Sequence, residues 1–181
     1  MSTVVKLLTA EEFQQLPESR WSELIHGVVV ETMPGAPEHG SVAMTIGWLL
    51  SNFVRPNHLG IVLSEAGFVL ERNPDMVRAP DIAFVSASKA PASGPSRRFW
   101  EIAPDLAVEV NSPTDRPGEA EHKVGEWMAA GTRLLWSVYP DRQTVVVVHS
   151  LQEREELSAA DLITGGDVLP GFSARVAEFF A

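Results

Sequence analysis

Cysteine is absent from the 181 residues. Its absence excludes disulfides, Cys-ligated zinc, iron–sulfur clusters and thiol catalysis, and removes any argument for an oxidising compartment. Positive charge is also scarce: 14 Lys and Arg stand against 24 Asp and Glu, giving a net charge of −10 and a pI near 4.9. This argues against tight binding to nucleic acid through a broadly basic surface, but does not exclude a small site whose own metal ions handle phosphate charge. No window approaches the ~18 uninterrupted apolar residues of a membrane span. The N-terminal stretch MSTVVKLLTAEEFQQLP lacks the apolar core and small-residue cleavage site of a signal peptide. The expectation is a cytoplasmic protein with no membrane partner. There is no P-loop, G-x-G-x-x-G or G-x-S-x-G, and His26, His58, His122 and His149 are scattered without metalloprotease spacing.

What is present is globular in kind, with 45% apolar and 21% charged residues. The length suits one domain, residues 1–181. Thr9 with Glu12 three residues on is a capping-box pattern for a short helix that Pro17 would end. Trp21 to Glu31 reads as a hairpin turning at His26-Gly27. Val42, Ile46, Leu49, Leu50 and Phe53 share one face of a helix that must finish before Pro56. Strands follow at 61–64, 67–71, 80–85 and 106–110, with a turn at Asn73-Pro74-Asp75. Pro117 suits the first turn of a helix capped by Gly131. A hairpin around Pro140-Asp-Arg-Gln143 comes next. Residues 167–172 read as a turn, and 174–180 as a closing amphipathic helix. Mixed strands with few helices predict an α/β (mixed α+β) fold with one curved central sheet flanked by helices.

Two carboxylates stand on apolar strands. Leu106, Val108 and Val110 share one face of their strand, while Ala107, Glu109 and Asn111 share the other. Asp81, Ala83 and Val85 alternate in the same way with Ile82 and Phe84. If the strands are neighbours, Asp81 and Glu109 point together, and two carboxylates so close raise a pKa or recruit a cation. A hard divalent ion, Mg²⁺ or Mn²⁺, suits such oxygens. The alternative is a pair of strand-end carboxylates facing water. Lys123 follows Glu119 by four residues, so it either completes an ion pair on a solvated helix face or turns to the sheet to stabilise phosphate charge.

These residues, in this order, carry a resemblance. The chain resembles the PD-(D/E)XK nuclease superfamily, and more narrowly its Uma-type branch of restriction endonucleases, from about Leu8 to Phe180. The carriers are Glu23-Leu-Ile-His-Gly27, Pro37-Glu-His39, Ala79-Pro-Asp81-Ile-Ala-Phe-Val85 and Ala103-Pro-Asp-Leu-Ala-Val-Glu-Val-Asn-Ser-Pro113. Lys123 with Trp127, Leu135-Trp136-Ser-Val-Tyr-Pro140 and Gly166-Asp-Val-Leu-Pro-Gly-Phe172 complete the set. The resemblance implies a restriction-endonuclease-like fold. It implies Asp81 and Glu109 as ligands of Mg²⁺ (or Mn²⁺), with the Val110 carbonyl beside them and Glu23 as a third carboxylate near the metal. The lysine expected two residues after the Glu is replaced by Asn111, and Lys123 matches the displaced position. His39 is a secondary site candidate, its alternative being a helix-start histidine bonded to backbone. Trp127 stands where Tyr is more usual, a change read as structural.

The function so implied is metal-assisted hydrolysis of nucleic-acid phosphodiesters, DNA being the expected substrate, by an enzyme acting as a homodimer. Arg97 and Arg98, beside a flexible loop, are weak candidates for backbone contact, and a cleft lined by Arg55, Arg72, Arg97, Arg98 and Lys123 would be locally positive. Two alternatives stand beside this reading. One is a non-catalytic nucleic-acid- or protein-binding domain that keeps the fold. The other is a hydrolase of a smaller phosphodiester, which would need no broad basic face.

Overall fold

The computed structural model describes residues 6–113 and 118–181. Thr9 caps α1 (Ala10–Gln14) by accepting from the Glu12 amide, and the Glu12 carboxylate accepts from the Thr9 amide in return. Pro17 opens a 3₁₀ turn, Pro17–Trp21, that leads into the expected hairpin of β1 (Ser22–Ile25) and β2 (Val28–Glu31). His26 and Gly27 both take positive φ, 48° and 80°, as a tight two-residue hairpin turn requires. The long helix α2 (Pro37–Val54) buries Val42, Ile46, Leu50 and Val54, the stripe its period predicts.

Strands β3 (Gly60–Ser64), β4 (Phe68–Glu71), β5 (Met76–Arg78), β6 (Ile82–Ser86) and β7 (Leu106–Val110) follow. After α3 (Glu119–Ala129) come β8 (Leu134–Tyr139), β9 (Thr144–Val148), β10 (Arg154–Ser158), β11 (Leu162–Gly165) and β12 (Leu169–Arg175). The central sheet has the order β10-β9-β8-β7-β6-β3, with β7 and β8 parallel and the other pairs antiparallel. A second sheet, β2-β1-β5-β4, carries the hairpin, and β11 pairs with β12 alone.

Four strands were not expected from sequence. β5 has three residues, too few to show a period. In β10 only Leu157 is buried, because this charged strand edges the sheet and its neighbours face water. The closing helix expected over 174–180 is corrected. Ala174 and Arg175 complete β12, where Phe172 and Ala174 alternate inward, and a 3₁₀ turn, Val176–Phe180, then buries Val176 and Phe179. β12, which starts at Leu169, takes up the later part of the turn expected over 167–172. Pro117 lies outside the described residues; α3 starts at Glu119 behind Gly118, whose φ is 83°.

The central sheet separates two apolar layers. α2 packs with Ile82, Phe84, Leu106, Val108 and Trp136 on one face. Val124 and Trp127 of α3 pack with Ala83, Val85, Ala107 and Leu135 on the other. Alternation along β6 and β7 thus assigns each residue its layer. A Cβ on Gly47 would meet the Ile82 side chain at 2.8 Å, so α2 lies close against β6. β7 is buried along its whole length, as a strand covered on both faces should be.

Asp75 fastens the small sheet to α1. Its carboxylate accepts from the Ala10 amide at 2.8 Å, the Asn73 amide at 3.2 Å and Arg72 Nη1 at 2.6 Å. Burial alone would raise this carboxyl, but the two amides and Arg72 outweigh it and hold it below the ordinary carboxylate range. Its contribution to stability is complete above the unfolded value and lost as pH falls through the lower folded one. Asp75→Ala should cost about 2–3 kcal/mol at pH 7, since it strands a buried amide. Urea unfolding at pH 7 and at pH 2.5 checks this: the gap between wild type and variant should narrow in acid, and an unchanged gap contradicts it.

Candidate active site

The register of β6 and β7 brings two of the expected residues together. Ile82 pairs with Val108, so one step further along each strand Asp81 lies opposite Glu109. Asp81 Oδ2 accepts from the Val110 amide at 2.7 Å, which fixes this carboxylate beside the Glu109–Val110 peptide. Both side chains point to the layer of Ala83 and Ala107, the face that α3 covers.

From α3, two side chains one turn apart reach Glu109. Trp127 Nε1 donates to Oε1 at 2.7 Å, and Lys123 Nζ donates to Oε2 at 3.2 Å. Lys123 thus turns to the sheet, and its charge meets Glu109. Removal from water pushes the Glu109 carboxyl up to about 7; Lys123 opposes this, while Asp81 and Glu23 add to it and the Trp127 hydrogen bond works against it. Lys123 is held protonated above its ordinary value, first by Glu109, against the cost of its own burial.

Glu23 and Arg78 continue the network. They are opposite one another in the β1–β5 register, one step from Leu24↔Val77. Arg78 Nη1 contacts Glu23 at 2.5 Å, and Ala79 N–H donates to the other Glu23 oxygen at 3.2 Å. Arg78 also binds Glu126 through Nε at 2.8 Å, tying α3 to the small sheet three residues beyond Lys123. Both Glu23 oxygens are therefore engaged by donors, and Glu23 acts on Glu109 through its field. All three ions of this bridge are mostly buried, where breaking one partner costs more than the pair contributes.

His39, in the first turn of α2, places Nε2 3.3 Å from Asp81 Oδ1. A Cβ on Gly35 would sit 2.8 Å from its Nδ1, so this position, two residues before the helix, must be small for the ring to lie there. Asn111, at the position of the displaced lysine, is buried and donates to Ser137 Oγ at 2.8 Å and to the Val138 carbonyl at 3.0 Å, joining the ends of β7 and β8.

Of the cations named for one cleft, Lys123 alone binds Glu109 among the described residues, and Arg55 is exposed at the C-terminal cap of α2. Arg72 is bound by Glu11, Asp75 and Glu101. Arg97 and Arg98 are exposed on the loop after β6, where the Arg97 carbonyl accepts from Gln14 of α1. Two contributors were missed from sequence. Trp127 was read as structural, although its spacing of four from Lys123 puts both on one helix face. Arg78 gave no signal, because its partners are 55 and 48 residues away.

Among the described residues no group of three His, Asp or Glu side chains is assembled to hold a metal. The donors whose chemistry fits are Asp81 and Glu109 with the Val110 carbonyl, all hard oxygens, and the negative charges of Asp81 and Glu23 both act on Glu109. Such a set suits a divalent ion that keeps several waters.

Compared with known proteins, the chain matches the family model described as "Uma2: Putative restriction endonuclease" over residues 10–177. It is similar to a crystal structure described as a putative nuclease belonging to DUF820 from Anabaena variabilis, with 23% identity and a TM-score of 0.82, covering 96% of this chain and 97% of that one. That likeness shows a common fold, the restriction-endonuclease-like one. No curated protein matches.

The folded value of Glu109 lies above its ordinary 4.5, so its contribution to stability is complete below that pH and lost as pH rises through about 7. A carbon-13 NMR titration of the metal-free protein should find this carboxyl near 7. In Glu23→Gln the midpoint should fall, because one negative neighbour goes and Arg78 loses a partner. A midpoint near 4.5, or one that Glu23→Gln raises, contradicts the description.

Proposed function

The chain belongs to the Uma2 family of putative restriction endonucleases, and from that premise we propose a divalent-metal-dependent endonuclease that hydrolyses DNA phosphodiesters at Asp81, Glu109 and Lys123. The observation that carries the reading is the convergence of these three charged groups, from β6, β7 and α3, on one end of the central sheet. Residues 1–181 form one nuclease domain in this reading.

Asp81, Glu109 and the Val110 carbonyl would hold Mg²⁺ or Mn²⁺. When bound there, the ion supplies Lewis-acid polarisation of a phosphate oxygen and a more acidic water. Trp127 keeps Oε1 of Glu109 in place, so the carboxylate enters the reaction already oriented. Lys123 brings a fixed ammonium to the charge that develops on the phosphate, and its half-buried setting weakens screening by water. His39 positions Asp81 from the open side. Arg78 neutralises Glu23 and anchors the helix that presents Lys123. Family membership supports a nuclease; the metal and the residue roles are inferred from this geometry, and the DNA substrate from the likeness to restriction endonucleases.

Cleavage of supercoiled plasmid with Mg²⁺ or Mn²⁺ tests the proposal. Asp81→Asn, Glu109→Gln and Lys123→Met should each lower the rate by about 100-fold or more. Trp127→Phe keeps the ring volume and loses only the donor, and should lower kcat by about tenfold with the fold intact by circular dichroism. Turnover that survives in Asp81→Asn or Glu109→Gln contradicts the assignment. DNA binding with no metal-dependent cleavage in wild type favours instead a binding domain on a nuclease fold.

A further inference from the structure

Resting on the nuclease reading, we infer that Trp21 with Arg20, Arg97 and Arg98 forms a base-stacking shelf that takes an unpaired nucleic-acid strand beside the site. Trp21 closes the 3₁₀ turn before β1 and is 69% exposed, a state unusual for so large an apolar ring. It borders an open cavity of about 520 Å³ that is also lined by Gln14, Gln15, Leu16 and Arg20. The Gln14 side-chain amide donates to the Arg97 carbonyl, so the loop bearing Arg97 and Arg98 is fastened to the same place.

Charge selects the occupant. Arg72, Arg78, Lys123 and Arg154 are bound to carboxylates, whereas Arg20, Arg97 and Arg98 are exposed and enter no side-chain ion pair among the described residues. Arg20 lines the same cavity as the Trp21 indole, and the Gln14–Arg97 contact brings the backbone of the Arg97–Arg98 loop to it, whereas Arg55 and Arg133, also exposed and outside the side-chain ion pairs of the described residues, lie on other elements. An indole face with guanidinium neighbours is the combination that stacks bases and tracks a phosphate backbone. Duplex hides its base faces, so a stacking shelf selects for the unpaired strand.

The shelf also leads to the site. One residue, Ser22, separates Trp21 from Glu23, ~7 Å of extended chain, and Glu23 is joined through Arg78 and Glu126 to the helix carrying Lys123. The other exposed tryptophan, Trp48, lies with Met44 on the outer face of α2, away from these arginines in sequence and element.

Fluorescence anisotropy with labelled oligothymidylate, and with a duplex of equal length, tests this in chelator so that cleavage does not intervene. Wild type should prefer the single strand. Trp21→Ala should weaken that binding by about tenfold, Trp21→Phe should restore it to within about threefold, and Trp48→Ala should leave it unchanged. Arg97→Ala should reduce the salt dependence by about one phosphate contact. Equal binding by wild type and Trp21→Ala overturns the shelf, as does a preference for duplex. A Trp21→Ala change that alters sedimentation of the protein alone, with strand binding intact, overturns it in favour of a protein contact. Plasmid and single-strand cleavage separate the two claims. Trp21-dependent binding without any cleavage sinks the nuclease reading and keeps the shelf. Cleavage with KM for the single strand unmoved in Trp21→Ala does the reverse.

Discussion

Glu109 is buried among like charges, and the arrangement around it follows from that. A carboxylate in the interior is costly unless it is paired and hydrogen-bonded. Here Trp127 and Lys123 supply the bonds, while Asp81 and Glu23 work against them. Both donors come from one helix, so α3 has to be held in register with β7. The β7–α3–β8 unit sets its general position, and the Arg78–Glu126 contact fixes it to the second sheet. Each element near the site is therefore placed twice, once by apolar packing and once by charge.

This surplus of negative charge is the kind of local conflict that folded proteins tolerate where function needs it. Nothing in packing asks for Asp81 opposite Glu109; two apolar residues would fill the same layer more cheaply. A divalent cation would convert the conflict into coordination, lowering the Glu109 carboxyl and relieving its repulsion with Asp81. Lys123 is paired with Glu109, and that pairing holds it charged against the cost of its burial.

Much of this was legible in the sequence, and the gaps have physical causes. Alternation along two short apolar strands showed which face of its own strand each of Asp81 and Glu109 takes, because a period of two is exact in a strand, but it left open whether the strands are neighbours, which the β6–β7 register settles. The long helix and the hairpin were equally plain. Spacing could not decide Lys123, since Glu119 offered a partner at helical distance and only the packing of Trp127 and Val124 shows which side of α3 turns inward. Trp127 had its signal, four residues from Lys123, but an aromatic on a helix face is ordinarily core. Arg78 had none, lying in a three-residue strand with its partners far off in the chain. The C-terminal strands escaped for a related reason: charged edge residues in β10 and a Pro-Gly pair inside β12 read as turn and surface. To the acidic composition the structure adds that several of the arginines are already bound to carboxylates.

The central claim is that Asp81 and Glu109 together form a seat for a divalent cation. Calorimetric titration of Mn²⁺ into wild type, Asp81→Asn and Glu109→Gln measures it without requiring any substrate. One site per chain in wild type, lost in both variants whose folds remain intact, is the expected result. Absence of binding in wild type, or binding that persists in either variant, would contradict it.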